Sequence, residues 1–441
     1  MNLNNIFTKN YFLFIPFCFL IILIQTDTIF AQSEILEKHA NEFTTVDDFD
    51  SLIDEISSQR LVLMGEATHG TNAFYKWRAE LSKRLIQDKG YSFIAVEADW
   101  PALSRINEFI KHKENAPSSI EEAMGYIERW PLWMWRNSEI KNLVSWLHDY
   151  NRELKPENRV GFYGVDLYAK RASMQQVIHY FSEMNNNLAQ RSERAYSCLT
   201  RFPEIRDYLQ MVARSGENCS EELDEVLEWV RENEEVASNA WEYFNAEQNA
   251  KMIINAERHY RGNLEPGAAS WNYRASHFYL TAERLLNFYG DGSKGIVWAH
   301  NTHIGDARAT DMARQGAVNI GQLARETIGH DNVYAIGFGT YTGNVLAARQ
   351  WEGQMENMAI PPARDNSWEA TLEATGFRQF YLLLNNEELK SALQSPVPHR
   401  AIGVTYQPEQ ESRGNYVNTI IPDRYDAFIF IRETDVLDTL D

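Results

Sequence analysis

The sequence predicts an α/β fold: a mainly parallel central sheet flanked by helices, with a helical insertion that forms a lid or a cleft wall. Three observations predict it. Short apolar runs recur along the chain, and each ends in a polar or glycine-rich cluster. Amphipathic helical patterns separate the early runs. A later stretch of about 120 residues has few β-branched runs. Strands that alternate with helices are typical of parallel sheets.

The apolar runs are continuous, as expected for strands buried on both faces of a sheet. In chain order, the predicted strands are Leu61–Met64, Phe93–Val96, Val160–Tyr163, Gly295–Trp298, Val333–Ile336, Phe380–Leu384, Ala401–Val404 and Ala427–Ile431. Helices are predicted at Phe74–Lys89 and Glu139–Tyr150, because each carries one apolar stripe. The insertion covers about residues 170–288, and its segment Glu221–Asn233 has one apolar helical face. The insertion is either a lid or cleft wall, or a supporting bundle.

The first 31 residues are typical of a secretory signal peptide. Lys9 precedes about 14 apolar residues from Tyr11 to Ile24, and Ala31 offers a cleavage point. This run is shorter than the roughly 20 residues that span a membrane. We therefore expect the mature domain, residues 32–441, to be exported to the periplasm or secreted, without a stable membrane anchor. An uncleaved anchor is the alternative.

The net charge and the cysteines argue against two classes of function, nucleic-acid binding and thiol catalysis. Lys and Arg number 42 against 62 Asp and Glu, a formal net charge of −20, which disfavours a nucleic-acid partner. Two cysteines, Cys198 and Cys219, follow the signal peptide. In an exported chain they form a disulfide or remain two buried thiols. Neither has the basic neighbours that activate a catalytic thiol. The oligomeric state is not predicted.

Polar clusters follow the carboxyl ends of the predicted strands, and ligands bind at that edge of open α/β sheets. Side chains distant in sequence are therefore expected to meet in one cleft: Glu66, His69, Glu97, Asp99, Asp166, His300 and His303. A carboxylate beside an imidazole orients it and raises its basicity, so Glu66 and His69 form a candidate general-base pair. Gly65 and Gly70 bound this turn and let it bend sharply. The segment is also consistent with a capped helix N-terminus.

Two further motifs offer chemistry to this cleft. His300 and His303 are spaced as a ligand pair or a proton-transfer pair, with a structural role as the alternative. Arg78 lies nine residues after His69 and can stabilise an oxyanion, or form a surface salt bridge. The sequence lacks the Gly-x-Ser-x-Gly, P-loop, His-Glu-x-x-His and Gly-x-Gly-x-x-Gly motifs. Water, activated by a histidine or a metal, is therefore the expected nucleophile.

These motifs, in this order, resemble the erythromycin esterase family. The resemblance rests on Gly65–Gly70, Arg78, Val96–Trp100, Trp133–Arg136, Phe162–Asp166 and Trp298–His303. It covers the chain from about Ser51 to the C-terminus. It implies hydrolysis of the ester in a macrolide lactone ring, with His69 as the general base. The implied catalytic residues are Glu66, His69, Arg78, Glu97, His300 and His303. Arg78 with one histidine would stabilise the oxyanion, and the other histidine would protonate the leaving alkoxide.

The sequence says less about the substrate and the cofactor than about the catalytic residues. Predicted substrate contacts are Asp99, Trp100, Trp133, Trp135, Arg136 and Asp166. The tryptophans either line a wide apolar cleft or pack in the core. Many family members carry a glutamate where this chain has Ala73, and Arg-Asp where it has Arg274-Ala275, so the substrate stays open. No cofactor is expected. The alternatives are a metallohydrolase using His69, His300, His303 and two glutamates, and a non-enzymatic module that binds haem or a macrocycle.

Overall fold

The structure is a computed structural model and describes residues 32–440. The predicted signal peptide, residues 1–31, lies outside the described residues and stays a prediction. Within the described part of the chain, no helix is both long and apolar enough to cross a membrane.

Eleven strands are present among the described residues. They are β1 (Asn41–Glu42), β2 (Leu61–Met64), β3 (Phe93–Asp99), β4 (Gly161–Asp166), β5 (Gly295–Trp298), β6 (Val333–Ala348), β7 (Met355–Ile360), β8 (Gln379–Leu383), β9 (Val397–Arg400), β10 (Tyr416–Thr419) and β11 (Ala427–Thr434). β9 and β10 form a separate antiparallel pair, and the other nine form one sheet.

The large sheet has the order β1-β8-β11-β6-β2-β5-β3-β4, and β7 pairs with the second half of β6. From β11 to β4 every neighbouring pair is parallel. β1, β7 and β8 pair antiparallel with their neighbours. Alternate residues of β2 enter two different apolar cores, because helices cover both faces of the sheet. The predicted α/β fold with a mainly parallel sheet is confirmed.

The helices, in chain order, are α1 (residues 32–39), α2 (Asp50–Glu55), α3 (Asn72–Lys89), α4 (Trp100–Ile110), α5 (Ile120–Gly125), α6 (Ser138–Arg152), α7 (Lys170–Met184), α8 (Asn186–Thr200), α9 (Ile205–Ser215), α10 (Ser220–Glu232), α11 (Ala240–Arg261), α12 (Ala269–Tyr289), α13 (Asn301–Ile304), α14 (Ile320–Ile328), α15 (Trp368–Glu373), α16 (Glu387–Ala392), α17 (Glu411–Gly414) and α18 (Ile421–Arg424). The predicted early helices correspond to α3 and α6. α3 ends at Gly90, whose φ of 71° is left-handed and suits glycine.

Helices α7 to α12 occupy the segment in which the sequence predicts a helical insertion. α7, α8, α10 and α11 pack around an apolar core of their own. A disulfide joins Cys198 in α8 to Cys219 before α10, with 5.8 Å between the Cα atoms. Of the two predicted cysteine states, the structure contains the disulfide, which connects two helices of this bundle.

The predicted strand at Ala401–Val404 is wrong. The strand lies just before it, at β9, and the following segment is a loop that crosses the end of β2. Its Ile402 N–H donates to the carbonyl of Ala67 at 2.8 Å. Ile402 is fully buried where the loop covers the sheet edge, while Ala401 and Val404 are half-buried, so this apolar run does not require a strand.

Candidate active site

The carboxyl ends of β2, β3, β4 and β5 open into a cleft of about 1840 Å³. The structure brings the predicted polar side chains together at this edge. Those that line the cleft are His69, Glu97, Asp99, Asp166, His300 and His303. Glu66 is 1% exposed and lies directly behind His69.

Helices of the insertion form one wall of the cleft. Their lining side chains include Gln175, His179, Trp241, Asn245, Trp271 and Arg274. The lining also includes Tyr126, Trp135 and Trp351. Trp135 also donates its indole N–H to the backbone carbonyl of Glu97 at 3.1 Å, which fixes the end of β3. Charged residues share the lining, so the cleft is less apolar than predicted.

Three predicted substrate contacts are not part of the cleft lining: Trp100, Trp133 and Arg136. Trp100 stacks on Tyr163 at 5.4 Å between ring centroids, because the first turn of α4 directs it into an apolar core. Trp133 packs edge-on against Trp130 in the other core. For both tryptophans the core-packing alternative applies, and the prediction that they line the cleft is wrong.

Glu66 connects His69 to Arg78. Its Oε1 lies 2.9 Å from His69 Nδ1, and its Oε2 accepts a hydrogen bond from Arg78 Nη2 at 2.6 Å. Arg78 is fully buried, and its guanidinium lies against the rings of Tyr75 and Trp298. It therefore cannot reach an oxyanion in the cleft, contrary to the prediction. It instead neutralises and orients Glu66.

Gly65 and Gly70 are required by close packing rather than by a sharp bend. A Cβ on Gly65 would lie 2.0 Å from Asn301 Oδ1, and one on Gly70 would lie 1.9 Å from the carbonyl oxygen of Leu346. Neither glycine has the positive φ that only glycine adopts readily. Both positions bring the loop after β2 against neighbouring backbone and so fix His69.

His69 has the electrostatic surroundings of a base. Burial opposes the imidazolium, but the hydrogen bond and charge of Glu66 outweigh it and raise the pKa of His69 above its ordinary value. Glu66 occupies Nδ1. Nε2, on the other side of the ring, is therefore the nitrogen available to a molecule in the cleft.

His300 is a neutral hydrogen-bond donor in this arrangement. It caps α13, and its Nδ1 accepts the backbone N–H of Thr302 at 3.3 Å. The Oγ1 of Thr302 also lies 2.8 Å from Nδ1. With Nδ1 as the acceptor of the backbone N–H, the proton of the neutral ring is on Nε2. Among the described residues this buried Nε2 makes no hydrogen bond, and the backbone carbonyl of Ala67 lies close enough to the ring to favour its protonation. Burial, aided by the charge of His69, keeps the pKa of His300 well below its ordinary value.

Arg274, on α12, is a site residue to which sequence reasoning assigned no role; the sequence marks Arg274-Ala275 only as a departure from the family pattern. Its guanidinium bonds Asp166 through Nε at 2.9 Å and Nη2 at 2.8 Å, and Glu97 through Nη2 at 2.7 Å. Its Nη1 donates to His303 Nε2 at 3.0 Å. Burial opposes ionisation of Glu97 and Asp166, but their cationic neighbours lower the pKa of each carboxyl. Burial lowers the pKa of His303 to about 4, so His303 is a neutral acceptor here.

A second arginine that sequence reasoning missed, Arg129, pairs with Asp99. The Nε of Arg129 donates to Oδ2 of Asp99 at the end of β3, and its guanidinium lies 5.0 Å from the ring of Tyr168. Asp99 is the strand partner of Asp166. Each aspartate at this edge is therefore paired with an arginine, which offsets the repulsion between the two like charges.

The described residues do not fit the metal alternative as they are arranged. Within residues 32–440, no group of three His, Cys, Asp or Glu side chains could hold a metal ion. The guanidinium of Arg274 already occupies the space between Glu97 and Asp166.

Comparison with known proteins identifies the class and then the family. The profile of the family described as erythromycin esterase matches residues 86–434, which is most of the chain. Erythromycin esterase type II of Escherichia coli is 21% identical over 375 residues, covering 78% of this chain and 86% of that protein. The putative hydrolase YbfO of Bacillus subtilis strain 168 is 20% identical over 408 residues, covering 85% and 84%. The class is therefore that of hydrolases. The chain belongs to the erythromycin esterase family.

Solved structures share the fold. A succinoglycan biosynthesis protein superposes with a TM-score of 0.76 at 22% identity, covering 92% of this chain and 98% of its own. A Bacillus cereus protein gives 0.78 at 19%, covering 94% and 99%. A mutant of the erythromycin esterase EreC in its open conformation gives 0.65 at 16%, covering 89% and 95%. At these identities the likeness shows the fold alone. The family profile begins after Glu66, His69 and Arg78, so their roles rest on the geometry of the site.

Proposed function

We propose that this protein is an exported hydrolase that opens the lactone ester of a macrolide with water activated by His69. The observation that carries this proposal is the Glu66–His69 pair at the floor of the cleft. Its hydrogen bond is 2.9 Å long, and the His69 ring lies 4.9 Å from that of His300. A base and a neutral donor thus lie side by side in the lining of the cleft.

His69 acts as the general base in the first step. Its Nε2 removes a proton from water while the water oxygen bonds to the acyl carbon of the lactone. Glu66 stabilises the imidazolium that forms, because its carboxylate stays on Nδ1. The charge of Glu97 also favours the proton on His69, and the charge of Arg274 opposes it. General-base catalysis of this type contributes about 10²–10⁴-fold.

His300 acts on the oxyanion. As water adds, the carbonyl π electrons move to oxygen, and the Nε2–H of His300 donates to that oxygen. When the tetrahedral intermediate collapses, the bond to the ring alkoxide breaks. The alkoxide takes the proton held by His69, which restores the neutral base. His303 takes no part in these proton transfers, because its Nε2 accepts from Arg274.

The cleft supports a bulky substrate. Its volume of about 1840 Å³ exceeds the roughly 300–1,000 Å³ of most small-molecule sites. Aromatic side chains offer apolar faces along its length, and charged groups beside them offer contacts for hydroxyl and ionic substituents: Tyr126, Tyr168, Trp241, Trp271 and Trp351. A glycosylated macrocycle has both kinds of surface. An exported enzyme of this kind would inactivate a macrolide outside the cytoplasm and so confer antibiotic resistance.

The test is identification of the product in labelled water. The mature chain is treated with a chelator and incubated with erythromycin in H₂¹⁸O, and the product is analysed by mass spectrometry. We expect one molecule of water to be added, with ¹⁸O in the new carboxylate. The proposal would be contradicted if erythromycin and a panel of other macrolides all remained intact. Turnover that appears only after metal addition would favour the metallohydrolase. A Soret band with haem and no turnover would favour the binding module.

A further inference from the structure

The guanidinium of Arg274 is held rigidly at the floor of the cleft. Asp166 accepts two of its hydrogen bonds, Glu97 accepts one, and His303 Nε2 accepts one, at 2.7 to 3.0 Å. His303 is in turn stacked on Trp271, with ring centroids 4.3 Å apart. An arginine fixed on three sides keeps little rotamer freedom to lose when a ligand binds.

One N–H of Arg274 remains without a protein acceptor. A guanidinium carries five N–H donors, one on Nε and two on each terminal nitrogen. Asp166 and Glu97 take the Nε–H and both hydrogens of Nη2, and His303 takes one hydrogen of Nη1. The second Nη1–H is left over. The side chain is 14% exposed and lines the cleft, so a ligand in the cleft can contact it.

Glu97 connects the guanidinium of Arg274 to the backbone of His300. Its Oε1 accepts from Arg274 Nη2 at 2.7 Å, and its Oε2 accepts the backbone N–H of His300 at 3.0 Å. One carboxylate therefore sets the spacing between Arg274 and His300. The Nε2 of His300 is also buried and makes no hydrogen bond among the described residues. Both side chains line the same cleft as His69.

We propose that Arg274 is a catalytic residue and that its free Nη1–H, together with His300 Nε2–H, forms the oxyanion hole. This inference rests on the proposed function and assigns to Arg274 the role that the sequence suggests for Arg78. Arg78 is fully buried behind Glu66 and cannot take it.

The chemistry of Arg274 is hydrogen bonding alone. As the water oxygen bonds to the acyl carbon, the carbonyl oxygen gains the electron pair and accepts the Nη1–H. Arg274 keeps all its protons, and no covalent bond to it forms or breaks. Two carboxylates face one guanidinium, so Arg274 contributes a positioned N–H rather than an excess of positive charge. Such a donor is worth about 10²–10³-fold in kcat.

Steady-state kinetics on a lactone or aryl ester test this role. We expect Arg274→Ala to lower kcat about 10²–10³-fold with little change in KM, because the donor acts on charge that develops during reaction. Arg274→Lys should not restore kcat, since an ammonium cannot reproduce the planar fork. Guanidinium chloride should partly rescue Arg274→Ala and should not rescue His69→Ala. Arg378→Ala, at an exposed site away from the cleft, is the matched control. Unchanged kcat in Arg274→Ala, or loss without guanidinium rescue, would overturn the inference.

A binding measurement separates this inference from the proposed function. Ethyl methylphosphonate carries a tetrahedral anion that mimics the oxyanion, and its affinity can be measured by calorimetry without turnover. We expect Arg274→Ala to weaken its binding at least tenfold relative to wild type. Equal affinity would overturn the role of Arg274 even if wild type hydrolyses no ester. A wild-type protein that hydrolyses no ester but binds the phosphonate through Arg274 would reject the proposed function alone.

Discussion

Replacing Gly65 by alanine should destabilise the protein and disable the site at once. The new methyl would lie 2.0 Å from Asn301 Oδ1 and 3.2 Å from the carbonyl oxygen of Ile336. The Asn301 amide has little room to move, because it donates to the carbonyl of Phe338 at 2.6 Å and accepts the N–H of Phe338 at 3.2 Å. Overpacking costs about 1–3 kcal/mol, and a buried donor left unpaired costs about 1–3 kcal/mol more. The expected loss is therefore roughly 2–6 kcal/mol.

Urea unfolding followed by tryptophan fluorescence measures this loss as a lower midpoint at unchanged slope. Asn301 lies between His300 and His303, so kcat should fall as well. Gly125→Ala is the matched control: nothing lies within 4 Å of its added Cβ, and alanine suits the helix. A Gly65→Ala protein within about 1 kcal/mol of wild type and fully active would refute the packing argument.

Three further predictions concern pH, a buried ion pair and the disulfide. Because His69 must be unprotonated to accept a proton and its pKa is raised, kcat/KM should rise with pH along a limb centred above pH 6.5. Glu66→Gln keeps an acceptor but removes the charge, so this limb should move to lower pH while kcat falls. Arg78→Met should lower the free energy of unfolding by about 3–5 kcal/mol, because it leaves Glu66 buried without its cation. Changing Cys198 and Cys219 to serine opens a loop with a sequence separation of 21 and should cost about 2–4 kcal/mol.

Each of these predictions has a measurement that can contradict it. The pH profile fails if the acid limb of Glu66→Gln coincides with that of wild type. Arg78→Met is compared with Arg84→Met, which loses only surface pairs worth about 0–1 kcal/mol. Equal losses of unfolding free energy in the two variants would show that burial of the Glu66–Arg78 pair is not the cause of the destabilisation. For the disulfide, melting temperatures with and without dithiothreitol should differ in wild type and coincide in the double serine variant.

The pattern of apolar residues along the chain predicts the structure correctly where burial alone determines it. The strands at the centre of the sheet are buried on both faces, so a continuous apolar run marks each of them. Polar residues directly after such runs must lie at the sheet edge, which is why His69, Glu97 and His300 could be brought together from sequence. The loop at Ala401–Val404 shows the limit of this reasoning. It is apolar because it covers the site, and an apolar run does not say whether its partner is a strand or an open edge.

The direction in which a side chain points is harder to predict from the sequence than the position of a buried strand. Arg78 follows Phe74 by four positions and precedes Leu81 by three, so helical spacing alone places it on the buried stripe of α3. This spacing indicates a buried Arg78, whereas its distance of nine residues from His69 suggested a place in the cleft. Arg274 had a weaker signal, a single charged residue on the inner face of α12, and its partners come from β3, β4 and α13. No local pattern shows which distant carboxylates an arginine will meet.

In the proposed mechanism His69 is the base that activates water, and one comparison of variants tests this role most directly. Chelator-treated wild type, His69→Ala and His330→Ala are incubated with erythromycin, and the hydrated product is quantified by mass spectrometry. His330 is exposed on the connection before β6 and is not part of the cleft lining. We predict that His69→Ala loses about 10²–10⁴-fold in rate while His330→Ala keeps the wild-type rate. Hydrolysis by His69→Ala at the wild-type rate would contradict the role of His69 as the general base.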